Sequence, residues 1–333
     1  MPASKTLVHA VNAEPEGYRY TTEQVLSSLP GGVSVSNKVF IVTGSHSGLG
    51  EETARALSAH GAHVIVATRS ETSGHAAIDR IKKGNPQAKL QWMHLDLSDL
   101  DSVQEFVKEF HKTSLPLHVL ICNAGIMAHP YAKTKQGFES QFGTNHIGHF
   151  LLIKLLMDDL IKSGPGSRVI VVSSRGHRWA GVRYDDPGFE DGKAYDPWKA
   201  YGQSKTANIL CARTFNEKFG DKGVEFFSLH PGVCSTNLAS GMSEDVKKEM
   251  LSMMPPGSES MFTNDPPKWM KTIEQCAATQ VWGATSPELN GKGGAYLDDC
   301  HIGKPLTEEA EDVTGENGRR LYDMSMKAVS NYL

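Results

Sequence analysis

Tyr201 and Lys205 stand four residues apart in the run WKAYGQSKTANIL, a spacing that sets a phenol and an ammonium on one face of a helix. Such a pair can move a proton, because a neighbouring positive charge stabilises the phenolate of an otherwise weak acid. A solvated helix carrying one amphipathic aromatic has the same letters, and YGQSK alone does not choose between the two. A second candidate is TGSHSGLG at residues 43–50, where Gly44, Gly48 and Gly50 are set GxxxGxG, with Ser45, His46, Ser47 and Leu49 completing the loop. Glycine permits a tight turn and close backbone approach, and a helix that follows offers free amides to a pyrophosphate. An ordinary glycine-rich turn is the alternative.

Both candidates need elements to hold them, and the chain supplies an alternation of strand-like and helix-like segments from residue 38 to about 230. KVFIVTG, HVIVATR, KLQWMHLDL, LHVLICNAG, SRVIVVSS and VEFFSLHPG read as six strands. Between them lie LGEETARALSAHG with Gly61 ending a helix, a helix over about 72–83, and SDLDSVQEFVKEFHK with Ser98 as its N-cap. One long helix is expected over 135–162 and another, carrying YGQSK, over about 198–219. Apolar runs this continuous imply strands buried on both faces, hence a parallel sheet. Right-handed crossovers then give an α/β, Rossmann-type doubly wound fold in a single domain, with its crevice at the carboxyl ends of the strands. Residues 1–37 read as an extension with one short helix around TTEQVLSSL, 38–300 as the sheet domain, and 301–333 as a polar tail. The Pro-, Met- and Ser-rich segment 239–269 breaks the alternation.

The glycine loop falls between a strand and a helix, which favours a dinucleotide over an idle turn. At the end of the second strand an acidic residue would accept from a ribose hydroxyl, but this chain has Thr68, Arg69 and Ser70 there. A guanidinium suits a 2′-phosphate and cannot accept from a hydroxyl, so NADP(H) is expected rather than NAD. Asp96-Leu97 and Asn123-Ala124-Gly125 end the third and fourth strands, where adenine and ribose would lie. Strand-ending turns favour Asp, Asn and Gly in any case.

Composition sets outer bounds. The 333 residues, 39% hydrophobic and 22% charged, suffice for a full globular core. A formal charge of −4 gives no basic patch for a nucleic-acid partner. Five scattered cysteines without a CxxC pair favour a reducing compartment. The first residues lack the apolar core of a secretory signal, and FLLIKLLMDDLI is broken by Lys154, Asp158 and Asp159. No membrane span and a cytoplasmic location are expected. His146 and His149 have no HExxH or cysteine pattern beside them, so no metal is expected.

With these pieces placed, the sequence resembles the short-chain dehydrogenase/reductase family over about residues 36–300. TGSHSGLG, NAG at 123–125, NHIGHF at 145–150, VVSS at 171–174, YGQSK and HPG at 230–232 fall in the family's order. The run WKAYGQSKTANIL is most similar to retinol dehydrogenase-like and protochlorophyllide reductase-like members. The resemblance implies that Tyr201 protonates a carbonyl oxygen as hydride arrives at carbon, and that Ser174 hydrogen-bonds the same oxygen. It implies that Lys205 binds the nicotinamide ribose and favours the phenolate, and that Asn145 holds a relay water. Lowering a phenol from its usual pKa near 10 by about 3 would take about 4 kcal/mol of differential stabilisation. The turn Pro231-Gly232-Val233 with Thr236 resembles the family's nicotinamide-facing loop, and Cys234 inside it reads as structural. His46 sits where NADP-preferring members often carry a basic side chain. The apolar N-terminal anchor usual in the retinol dehydrogenase group is absent, which argues against retinoids. A homodimer through the two long helices is common in the family.

Methionine adapts to irregular apolar shapes, so Met242, Met250, Met253, Met254, Met261, Phe262 and Trp269 suggest a lid over a hydrophobic small-molecule substrate, or simply a cap on the core. The aromatic-rich stretch 175–199 would form the opposite wall. The expected activity is hydride transfer between NADP(H) and a carbonyl or alcohol. Reduction of a carbon–carbon double bond and a non-catalytic NADPH sensor are the alternatives.

Overall fold

The computed structural model describes residues 19–236, 238, 241–252, 254, 258–263 and 267–333. Most of the N-terminal extension, and Met253 of the methionine-rich segment, lie outside the described residues.

Strands β1 (Val39–Thr43), β2 (His63–Thr68), β3 (Lys89–His94), β4 (Val119–Cys122), β5 (Ser167–Val172), β6 (Val224–His230), β7 (Tyr296–Asp298) and β8 (His301–Gly303) form one sheet. Its order is β3-β2-β1-β4-β5-β6-β7-β8, parallel except for the antiparallel pairing of β8 with β7. β1 and β5 are buried along their whole length, which is why they read as unbroken apolar runs. The order of strands reverses at β1, with β2 and β3 laid down on one side and the parallel β4 on the other, so the loops after β1 and β4 leave the same sheet edge and flank one crevice.

One face of the sheet is covered by α1 (Thr22–Ser27), α2 (Gly48–Ala59), α3 (Glu71–Gly84) and α10 (Ile273–Thr285). The other is covered by α4 (Leu100–Lys112), α5 (Ser140–Phe142), α6 (Gly148–Leu155), α7 (Met157–Lys162) and α8 (Pro197–Phe219). α9 (Glu244–Ser252) lies in the methionine-rich segment. Asp196 caps α8 by accepting from Trp198 N and Lys199 N at 2.9 and 3.0 Å, and Pro197 occupies its first turn.

Three expectations change. Asp99, not Ser98, caps α4, because Ser98 is used on the carboxylate of Asp96 at 2.6 Å. The expected helix over 135–162 starts only at Ser140, where Glu139 accepts from Gln141 N and Phe142 N, and it contains a π-turn at Gly143–Ile147. The polar tail is folded: α11 (Glu308–Glu311) and α12 (Glu316–Ala328) pack on α8, and Leu321 and Val329 enter the core. Among the described residues, no helix is long and apolar enough to cross a membrane.

Candidate active site

The glycine loop is shaped by what a side chain would strike. Gly44 and Gly48 have φ of +66° and +54°. A Cβ on Gly44 would lie 2.9 Å from Ala124 Cα, and one on Gly50 would lie 2.6 Å from Gly44 O and Asn123 Nδ2. Ser45 is wholly buried and donates to Val42 O at 2.8 Å, so its side chain shapes the turn. Ser47 caps α2 without a side-chain bond, which leaves the first amides of Gly48, Leu49 and Gly50 to another acceptor. A cradle that excludes side chains and ends on a helix N-terminus fits a pyrophosphate.

His46 and Arg69 are both exposed beside this loop. Partial desolvation holds the His46 pKa below its ordinary value, opposed by Glu51 and reinforced by the charges of Arg69 and Arg80. Arg80 donates to His46 O at 2.9 Å and grips both oxygens of Glu51 at 2.8 Å. Arg80 was invisible as a loop anchor in the sequence, since only the fold brings α3 to the loop.

At the neighbouring strand ends, Asp96 Oδ1 accepts from Ser98 N, while Leu97 is buried in the core with its carbonyl close against Gly148. Asn123 Nδ2 donates to Thr43 O at 2.8 Å, and Asn123 N and Ala124 N both donate to Thr43 Oγ1. NAG is thereby fastened to β1. A Cβ on Gly125 would meet Asn145 Oδ1 at 3.2 Å and Lys205 Nζ at 3.5 Å, so this turn touches both side chains directly.

The structure brings Asn145, Ser174, Tyr201 and Lys205 together. α8 is bolted to the end of β5 by Ser173 Oγ to Lys205 O at 2.7 Å, and by Lys205 Nζ and Asn208 Nδ2 to Val172 O at 3.0 and 3.1 Å. Lys205 Nζ lies 5.6 Å from the Tyr201 ring centre. Ser174 bonds the Tyr201 hydroxyl and itself accepts from Gly176 N at 3.0 Å. Asn145 Oδ1 accepts from Ile126 N, and its Nδ2 donates to Ile126 O and Ser204 Oγ.

The electrostatics depart from expectation. Burial pushes the Tyr201 phenol up to about 12, partly offset by the bond from Ser174, instead of below 10. Burial also brings the Lys205 ammonium down to about 8. Sequence spacing reveals the neighbour but not the desolvation, which here outweighs it.

The turn at 231–236 closes the other side. Gly232 has φ +103°, Val233 O accepts from Lys271 N at 2.9 Å, and Lys271 is ion-paired with Asp299. Thr236 Cγ2 would lie 3.3 Å from a Cβ on Gly48, so Thr236 sits over the start of α2. Pro231 and Cys234 are both half-buried in this turn. Met242, Met250, Met261 and Met270 pack in one apolar cluster with Met127, Trp198 and Tyr201, and Trp179 flanks it, its ring centre 6.1 Å from that of Tyr201. Trp198 Nε1 is buried and without a hydrogen-bond partner among the described residues.

Sequence reasoning missed two glycines. A Cβ on Gly176 would lie 2.8 Å from Tyr201 Cε1, and one on Gly202 would lie 2.8 Å from Ala180 N. Their placement in SSRGH and YGQSK was the available signal. His146 and His149 are buried: His146 Nε2 bonds Ser325 Oγ at 2.8 Å, and His149 bonds Thr43 and the Asn145 carbonyl. Among the described residues, no three His, Cys, Asp or Glu side chains converge as a metal site.

Comparison with known proteins places the chain in a family. The family model described as short chain dehydrogenase matches residues 38–184. Short-chain dehydrogenase/reductase prx1 of Penicillium roqueforti is 38% identical over 89% of this chain and 86% of its own length. WW domain-containing oxidoreductase of Homo sapiens is 36% identical over 95% of this chain and 73% of its own length, and Short-chain dehydrogenase TIC 32 B, chloroplastic, of Brassica napus is 37% identical over 95% and 94%. A crystal structure of a protein from Mycobacterium paratuberculosis superposes with a TM-score of 0.69 at 30% identity, over 94% of this chain and 98% of that one. With a buried tyrosine and lysine beside a glycine-lined cradle, and relatives of this identity along nearly its whole length, the chain belongs to the short-chain dehydrogenase/reductase family of oxidoreductases.

Proposed function

We propose that the protein is an NADP(H)-dependent reductase of a carbonyl group on a hydrophobic small molecule. The carrying observation is Tyr201, a buried phenol bonded to Ser174 and bordered on one side by methionine and tryptophan side chains. Gly44, Gly48, Gly50 and the free amides of α2 would hold the pyrophosphate, and exposed Arg69 suits a 2′-phosphate. When bound, the nicotinamide supplies the hydride. Ser174 Oγ donates to the carbonyl oxygen and aligns it, and Tyr201 gives that oxygen its proton as negative charge develops. Lys205 is still largely an ammonium at pH 7, with its pKa about 8, and restores the proton balance beside Tyr201. A tyrosine held at about 12 is fully protonated at pH 7 and poised as an acid.

The methionine-rich wall suits a bulky apolar substrate, with the Trp198 indole N–H as one donor in an otherwise apolar surface. A homodimer would use a face of α8 other than the one that α12 of the same chain covers.

The test is NADPH consumption against hydrophobic ketones, aldehydes and enones, with wild type beside Tyr201→Phe and with product analysis. Alcohol formation that vanishes in Tyr201→Phe while NADPH binding persists is the expected result. A saturated ketone as product would move the reading to double-bond reduction. Tight NADPH binding without turnover on any carbonyl would count against catalysis.

A further inference from the structure

Thr43, Asn145 and His149 meet inside the molecule, between the end of β1 and the π-turn. The His149 side chain is 1% exposed, and both ring nitrogens are engaged. Nδ1 lies 3.0 Å from Asn145 O, and Nε2 lies 2.9 Å from Thr43 Oγ1. A carbonyl oxygen only accepts, so Nδ1 carries the proton; Nε2 of the neutral ring then accepts from the Thr43 hydroxyl. Thr43 Oγ1 still accepts from Asn123 N at 3.0 Å and Ala124 N at 2.9 Å. This assignment uses every donor and acceptor, whereas the alternative partner of the Thr43 hydroxyl, Ile121 O, is farther away at 3.4 Å.

The two ends of this chain of bonds belong to different parts of the site. Asn145 is clamped through its side chain to Ile126 and Ser204, within the acid–base group. Thr43 is the last residue of β1, directly before the glycine loop, and it gathers the amides of NAG. A packing residue would need only the shape of the ring; here both nitrogens are used, and in opposite senses.

We propose that His149 is a positioning residue which, as a neutral Nδ1–H imidazole, ties the main chain of Asn145 to Thr43 and so fixes the acid–base group relative to the cofactor cradle. Its kinetic consequences rest on the reductase reading above. Lys205 and His146 are the titratable neighbours. Burial holds His149 down to about 4, opposed by the bond to Asn145 and reinforced by the charge of Lys205; burial and then the charge of His149 hold His146 down to about 3. The ring therefore stays neutral throughout the working pH range.

Three substitutions divide the two bonds. In His149→Asn the amide nitrogen takes the place of Nδ1 and can donate to Asn145 O, but it falls short of Thr43. In His149→Gln the side chain reaches Thr43 but loses the bond to Asn145 O. His149→Phe loses both. NADPH affinity, measured by fluorescence titration, is expected to fall about tenfold in the Phe and Asn variants and to recover in Gln, as expected for the loss of one buried hydrogen bond. The pH midpoint of kcat/KM is expected to move by about one unit in the Phe and Gln variants and to recover in Asn. Imidazole 15N signals of the wild type should show a protonated Nδ1 and an unprotonated Nε2 from pH 7.5 to 5.5. An Nε2–H tautomer, or three variants alike in affinity and pH midpoint with only lower melting temperatures, would overturn the proposal. If wild type shows no turnover, the reductase reading fails by itself, and the tautomer and the affinities still decide the clamp.

Discussion

Replacing Gly202 by Ala sets two effects of opposite sign against each other. In an unobstructed helix the change favours the folded state by about 1 kcal/mol. On α8, however, the new Cβ would stand 2.8 Å from Ala180 N and 3.0 Å from Gly176 O, both backbone atoms that no rotamer change can move. Relief to ordinary contact at 3.4 Å requires a retreat of α8 by about 0.6 Å, and overpacking of this kind costs ~1–3 kcal/mol. The clash wins, with a net loss of about 1 kcal/mol and a melting temperature lower by a few degrees. Tyr201 is the adjacent residue, so the retreat separates its hydroxyl from Ser174. Since a 1 Å misplacement of a reacting group costs about 100-fold, a loss of about tenfold in kcat/KM is expected. NADPH affinity, set by the glycine loop on the far side of the sheet switch, should stay within about twofold. Thermal melting, fluorescence titration and turnover on the best substrate give the three numbers. A raised melting temperature with undiminished turnover would refute the reasoning, because the helix would then have accommodated the methyl at no cost.

Other perturbations follow from the same geometry. Arg69→Ala should weaken NADPH binding about 10- to 100-fold and leave NADH unchanged, as one charge-assisted hydrogen bond to a phosphate is worth ~1.5–3 kcal/mol; equal losses for both cofactors would remove Arg69 from the 2′-phosphate site. His146, His149 and His230 are held by burial at about 3, 4 and 3, below the ordinary 6.5. Their folded values are depressed, so their contribution is fully present above pH 6.5 and is lost as pH falls towards 4, by up to about 1.4 kcal/mol per pH unit for each. Urea midpoints at pH 7.5, 6 and 5 should drop accordingly, and a flat profile would contradict it. Leu321→Ala, at a position 1% exposed on α12, should cost about 2–5 kcal/mol by urea unfolding; a loss below about 1 kcal/mol would mean that α12 is not part of the core.

Much of this molecule was legible because its chemistry sits at strand ends. A parallel strand buried on both faces announces itself as an apolar run, and the residues that follow it, such as Gly44, Asn123 and Ser174, are then placed by topology alone. What escaped notice was set by contacts between segments distant in sequence. Ser98 and Asp99 are both good N-caps, and the choice fell to Asp99 only because Asp96 had claimed Ser98. The π-turn at Gly143–Ile147 leaves the apolar pattern of NHIGHFLLI intact, so no periodicity signals it. Arg80 reaches the glycine loop from another helix, and Gly176 and Gly202 matter because two backbones touch. The raised pKa of Tyr201 is a property of burial, which a motif does not report.

The packing of α12 on α8 also orders events in time. Phe150 and Phe215 are covered by Tyr322, with ring centres 5.4 and 5.5 Å away, and Gln104 of α4 donates to Tyr332 O at 2.9 Å. During synthesis at ~5–20 residues per second, roughly 100 further residues must be made after Phe215 before this cover arrives, an interval of about 5–20 s. The strands β1 to β6 and the glycine loop are already available to fold in that interval. Meanwhile the outer face of α8 remains an apolar stripe open to water, the kind of surface on which nascent chains aggregate or meet chaperones. The molecule thus acquires its nucleotide cradle first and seals the helix bearing Tyr201 last.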